Sequence, residues 1–149
     1  MRREGTLLKA FMKDVLFFRM EHGENFFDEL YAMLKKHGIE SGILLGAIGM
    51  LMNFEIGWFN AEKGVYEKAK YEEAHELISA SGNISLKDGE VFAHIHVSLS
   101  KPHSPTVGGH LFSGIVCNTV EGFILPTGFK LIRLPGATFR MLDVVEDGE

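Results

Sequence analysis

The chain has 149 residues, 46% of them hydrophobic, enough to bury one sizeable core and short for two. Lys and Arg total 15 against 20 Asp and Glu; the formal charge of −5, with no basic run, disfavours autonomous binding to a phosphate backbone. A single cysteine, Cys117, excludes an intrachain disulfide, fits a reducing interior and reads as a small core hydrophobe.

In chain order, Arg2-Arg3 is a basic pair rather than a nucleic-acid arm, and no apolar run with a small-residue cleavage site follows it. A secretory signal is therefore not expected, and a cytoplasmic location is. Val15 to Met20 reads as a strand. A helix follows, with Asn25 as N-cap, Asp28 favourable to its dipole, and Phe27, Leu30, Tyr31 and Leu34 in one apolar stripe. Lys35, Lys36 and His37 occupy its last turn and Gly38 stops it. The apolar stretch from Ile43 to Met52 is too short for a bilayer span, so no membrane association is expected.

Met50, Met52, Phe54, Ile56 and Trp58 alternate with their neighbours and predict a strand with one apolar face. Asn60 to Gly64 then turns the chain. Strands follow at Val65 to Tyr71 and Glu76 to Leu86, and the Asp88-Gly89 pair joins the latter to Val91 to Ser100 in a tight hairpin. A Pro-, Ser- and Gly-rich loop spans Lys101 to Gly109, before strands at His110 to Val120, Phe123 to Arg133 and Ala137 to Val145. Pro126 is expected to bulge the second of these. The pattern predicts an α+β fold: one main helix packed on a curled, mainly antiparallel sheet, as a single domain over residues 1–149. Only the first dozen residues and Val145 to Glu149 read as loose ends.

The chemistry-bearing pattern is in the histidines. Residues two apart on a strand share a face, so His94 and His96 point the same way, away from Ala93, Ile95, Val97 and Leu99. His110 opens the next strand, and Gly108-Gly109 before it permits close approach or a positive φ. Three neutral imidazoles suit Zn²⁺ or a similar divalent metal, with nitrogens about 2.0–2.1 Å from the ion and a fourth position open. Occupancy should fall as pH drops toward and below about 6. The competing reading is that these are half-buried, hydrogen-bonded strand histidines. His103, between prolines, reads as solvated rather than as a further ligand, and His22, His37 and His75 as surface or capping residues.

The segments Glu76-Leu77-Ile78-Ser79-Ala80-Ser81-Gly82-Asn83-Ile84-Ser85, His94-Ile95-His96-Val97-Ser98-Leu99-Ser100 and Gly108-Gly109-His110-Leu111, with Ala47-Ile48-Gly49 earlier, come in a familiar order. From about Val15 to Val144 the chain resembles the plant- and prokaryote-conserved (PPC) domain family, of the prokaryotic stand-alone type. The resemblance implies a trimeric α+β domain. Its architecture is similar to that of α-acetolactate decarboxylase, whose zinc is held by a comparable His-x-His plus later His, which implies metal at His94, His96 and His110. The charged residues that the decarboxylase needs around its metal find no match here. In plants the domain accompanies Arg-Gly-Arg-Pro AT-hooks; this sequence has none, so a DNA role through the hook does not carry over. Self-association does carry over, and 12 Phe residues suit it.

Two functions follow. One is a homotrimeric binding or regulatory module, linked to DNA-associated proteins but with weak or absent DNA contact of its own, and open to a small-molecule ligand. The other is a metal-dependent enzyme, lyase- or hydrolase-like, acting on a small oxygenated substrate. For the enzyme, Glu76, Asn83 and Glu55 are the candidates for acid, base or polar orienter. Glu76 could equally be a solvated or paired strand-end carboxylate, and Asn83 beside Gly82 a local bulge.

Overall fold

The computed structural model describes residues 14–145. Arg2-Arg3, the first dozen residues and residues 146–149 lie outside them. In chain order come β1 (Leu16–Glu21), α1 (Phe26–Lys36), β2 (Gly42–Asn60), β3 (Val65–Tyr71), β4 (His75–Lys87), β5 (Glu90–Ser100), β6 (Val107–Pro126), β7 (Lys130–Leu134) and β8 (Met141–Val145). The strands form one sheet in the order β3-β2-β6-β5-β4-β7-β8, with β1 also on β6. Because β2 pairs with β4 as well as β6, the sheet curls until β2, β6, β5 and β4 form a ring. All pairings are antiparallel except Leu86↔Ile132 between β4 and β7.

The expected α+β class does not hold. Strands hold 66% of the described residues and helix 8%, so the protein is mainly β. The helix sits where its signals place it but has only 11 residues, whereas β2 and β6 run for 19 and 20. Two sequence features hid those lengths. The glycine-interrupted stretch Ile43 to Met52 is the first half of β2, carried past register breaks by bulging. Glu121-Gly122 does not turn: β6 pairs through it with β1 and β2 and stops at Pro126, which ends the strand instead of bulging its middle.

Helix α1 is short because its punctuation is complete. Asn25 Oδ1 accepts from the Phe27 and Asp28 amides at 3.1 and 3.2 Å. At the other end Gly38 takes φ +64°, its amide bonds Lys35 O, and the Ile39 amide bonds Leu34 O at 2.9 Å, closing a Schellman motif. Phe26, Leu30 and Leu34 are buried against the sheet, while Phe27 and Tyr31 sit at the edge of the core. The Tyr31 hydroxyl accepts from the Ala93 amide at 3.1 Å, tying the helix to β5 beside His94.

Three smaller readings change. Asn53, at φ +45° and next to a register break, shifts the phase of β2: Leu51, Phe54 and Ile56 face the core, while Trp58 is 49% exposed. His75 is buried, edge-on to Phe54 and Tyr71, with Nδ1 2.9 Å from Glu73 O. Cys117 is only partly buried. No helix among the described residues is long and apolar enough to cross a membrane.

The core face of β5 is Ala93, Ile95, Val97 and Leu99, all buried, which leaves His94 and His96 on the opposite face as the alternation predicts. Gly82 on β4 sets how closely β5 lies: a Cβ there would be 1.9 Å from His94 O. Gly82→Ala should therefore destabilise the fold by about 1–3 kcal/mol or more, because the obstructing atom is backbone. A urea titration checks this; an unchanged midpoint would refute the close-approach argument.

Candidate metal centre

His94 and His96 project from one face of β5, and His110 stands directly across from His96 in the β5–β6 ladder. Gly109, at φ +154° and with a would-be Cβ 2.5 Å from Gly57 O, lets β6 run between β5 and β2 at this point. The three rings have centroid separations of 4.9, 5.0 and 5.6 Å, and one nitrogen from each lies within 4.8 Å of the others. His94 and His110 are half-buried and His96 is exposed. The Nδ1 of His110 is buried with no hydrogen-bond partner, a costly state for a polar atom unless something else binds it. Three converging imidazoles, one of them with an unpartnered Nδ1, make a group able to hold a borderline divalent cation.

The charges around the rings are unusual for an acidic chain. Arg133 on β7 donates through Nη2 to His94 Nδ1 at 3.1 Å and to Asn83 Oδ1 at 2.6 Å. Since guanidinium cannot accept, the neutral His94 ring carries its proton on Nε2, 3.0 Å from His96 Nε2; to ligate an ion through Nε2 it must shift that proton to Nδ1, where Arg133 now donates, or lose it. Burial, then the charges of Arg133 and His96, push the His94 imidazole down to about 4. Burial likewise dominates at His110, followed by the other two imidazoles, Lys68 and Arg133, and its value also falls to about 4. Protonation of these two imidazoles thus sets in lower than the pH of about 6 expected from ordinary histidine.

The cluster lies in a cavity of about 940 Å³ walled by Phe92, Phe112, Tyr66 and Phe139, with Lys87, Arg133 and Arg140 at its polar side. Of the acid–base candidates only Asn83 approaches the histidines, and it does so by holding Arg133. Glu76 lies in a separate depression with Ile48 and Ile78. Glu55 pairs with Lys68 and Lys70 at 3.2 and 3.7 Å and does not line the cavity. His103 is exposed in the loop before β6, outside the cluster; His22 is exposed and accepts from the Asn118 amide; His37 caps α1. Arg133, Phe139 and Arg140 escaped the sequence reading because a strand run through Pro126 gave no sign of where β7 returns. The one available signal was Pro126-Thr127-Gly128, a turn that would have set Arg133 on a strand of its own.

With this geometry in place, comparison with known proteins is informative. The family model of the Plants and Prokaryotes Conserved (PCC) domain matches residues 9–127. The chain belongs to this family. A PPC protein from Pyrococcus horikoshii is 36% identical, with 89% of this chain and 92% of that one covered and a TM-score of 0.79. A metal-containing protein from Archaeoglobus fulgidus is 33% identical over 89% and 93% of the two chains, also with a TM-score of 0.79. A candidate DNA-binding protein from Bacteroides thetaiotaomicron, 21% identical over 89% and 92% with a TM-score of 0.80, shares the fold. No curated protein matches the sequence. In this PPC-domain chain the three histidines fall inside the family match, whereas Arg133, Phe139 and Arg140 lie beyond its end.

The depressed imidazoles make a signed prediction for the metal-free protein. The unfolded chain takes up protons near pH 6.5, but folded His94 and His110 stay neutral until about 4. In chelator, stability should therefore fall as pH drops from about 6.5 to about 4 and level off below. Denaturation midpoints across this range check it, and a His94→Gln/His110→Gln variant should flatten the slope.

Proposed function

We propose that this chain is a homotrimeric PPC-domain protein that holds one Zn²⁺-like ion at His94, His96 and His110 and uses the adjoining cavity to bind a small molecule. The observation that carries the metal reading is the buried, unpartnered Nδ1 of His110 within a set of three converging imidazoles. The metal-containing relative from Archaeoglobus fulgidus supports it. When bound, such an ion supplies Lewis acidity and an open coordination position. Of the chain's own residues, Tyr31 braces β5 beside His94 and Asn83 holds Arg133, whose contact with His94 Nδ1 would have to give way for Nε2 to take the ion.

A binding module is favoured over a lyase- or hydrolase-like enzyme because Glu55 and Glu76 are absent from the cavity wall and the carboxylate that does line it, Asp28, is exposed in the first turn of α1. The net charge of −5 weighs against a direct DNA role, so any link to DNA runs through partner proteins. Trimer formation is supported by an apolar outer face on β1, β2, β4 and β6. Phe17, Leu45, Ile48, Ile78 and Phe123 are all exposed there, and the Phe17 and Phe123 rings lie 5.5 Å apart.

Two measurements test this reading. Elemental analysis should find one divalent ion per chain, and His96→Ala should lose it while keeping the fold, since His96 is exposed and outside the core. Unchanged metal content in that variant would sink the assignment. Light scattering at micromolar protein should report three chains per particle, with Phe123→Glu shifting the mass toward one; a monomeric wild type would remove the trimer.

A further inference from the structure

We propose that Arg133 is the anchor for the carboxylate of a small organic ligand whose apolar body rests on the aromatic wall of the cavity; this deepens the small-molecule reading above and rests on it. Four hydrogen bonds hold the Arg133 guanidinium. Nε donates to Ser85 Oγ at 3.3 Å, Nη2 to Asn83 Oδ1 and His94 Nδ1, and Nη1 to Arg140 O at 3.4 Å. Every one of these acceptors is neutral. Among the described residues no carboxylate lies within ion-pair distance of Arg133, whereas Arg140 pairs with Asp88 at 2.7 Å and Lys68 with Glu55 at 3.2 Å. Lys87, also without an ion pair, holds its Nζ 4.8 Å from the Phe92 ring, over which Arg133 lies at 5.7 Å.

Two cations without an ion pair among the described residues therefore lie beside one aromatic ring, on the wall of a cavity whose single lining carboxylate is Asp28. Keeping a half-buried guanidinium unpaired is costly, and neutral acceptors hold its plane in one orientation. These bonds use four of its five N–H groups, which leaves one on Nη1, together with the uncancelled charge, for a carboxylate oxygen. Phe112 and Tyr66, edge-on to each other at 5.4 Å, offer apolar surface across the same space. One oriented guanidinium beside aromatic walls suits a monoanion with an apolar body better than a heavily hydrated phosphate.

The test is calorimetric titration of benzoate, benzamide and inorganic phosphate into the metal-loaded and the chelated protein, repeated with Arg133→Gln and Arg133→Lys. Benzoate should bind, benzamide and phosphate should bind far more weakly, and Arg133→Gln should weaken benzoate by about tenfold to a hundredfold. Arg133→Lys, which keeps the charge without the fixed guanidinium, should lose less. Arg133 also braces Ser85 and Asn83, so melting curves verify that the variants fold; if Arg133→Gln does not, Arg133→Lys and the benzoate–benzamide contrast on the wild type decide. Absent benzoate binding, equal binding to folded Arg133→Gln, benzamide equalling benzoate, or phosphate binding more tightly than benzoate each overturns the anchor. Metal content measured alongside separates the two readings: metal retained without benzoate binding removes the anchor alone. Benzoate bound by metal-free wild type and lost in Arg133→Gln keeps the anchor even where the metal reading fails.

Discussion

The register of β5 against β6 is the constraint on which the cavity depends. Only a few residue pairs join these strands, from Leu99↔Val107 to His96↔His110, yet they decide which side chains meet. Strand side chains alternate, so a slip of one residue would turn His110 toward the core and Leu111 into the cavity. The register is held by burial on the far face, where Ile95, Val97, Leu99 and Leu111 are packed away from water. It is also held by glycines at 108 and 109, whose would-be Cβ atoms collide with neighbouring backbone. Apolar packing on one face thus positions polar chemistry on the other.

Electrostatics at the cavity follow from that placement. Three imidazoles brought together beside a guanidinium cannot all be charged, and partial burial makes the neutral forms cheaper still. His94 and His110 are thereby neutral at ordinary pH, and metal binding requires a neutral imidazole. Arg133 contributes to this depression while being itself held by Asn83, Ser85 and a backbone carbonyl. In a chain that is acidic as a whole, Lys87, Arg133 and Arg140 thus line one concavity.

The outer face of the sheet poses the converse problem. The core is complete without Phe17, Leu45, Ile48 or Phe123, so their exposure is not a packing remainder. Apolar residues adjacent across β1, β2 and β6 form a contiguous patch, the kind of surface that a second copy of a chain covers. Sequence composition registered the excess of Phe but could not say which residues were spare.

What the sequence determined by itself is what depends on neighbours along the chain. The α1 boundaries followed from Asn25 and Gly38, the β4–β5 hairpin from Asp88-Gly89, and the shared face of His94 and His96 from strand alternation, because each is a local steric or hydrogen-bonding rule. The order of the Glu76, His94 and Gly108 segments was also enough for the family resemblance. The weight of the sheet was not legible, since bulges in β2 and the unbroken passage of β6 through Gly122 depend on partners that only folding supplies. Nor was the phase of β2, which shifts at Asn53, the exposure of Trp58, or the burial of His75. Arg133 is the clearest case: β7 reaches β4 through the single parallel pair Leu86↔Ile132, and that contact brings a cation 39 residues away in the chain to His94. No local pattern encodes such a meeting, because it is made by the closure of the sheet and not by the residues on either side.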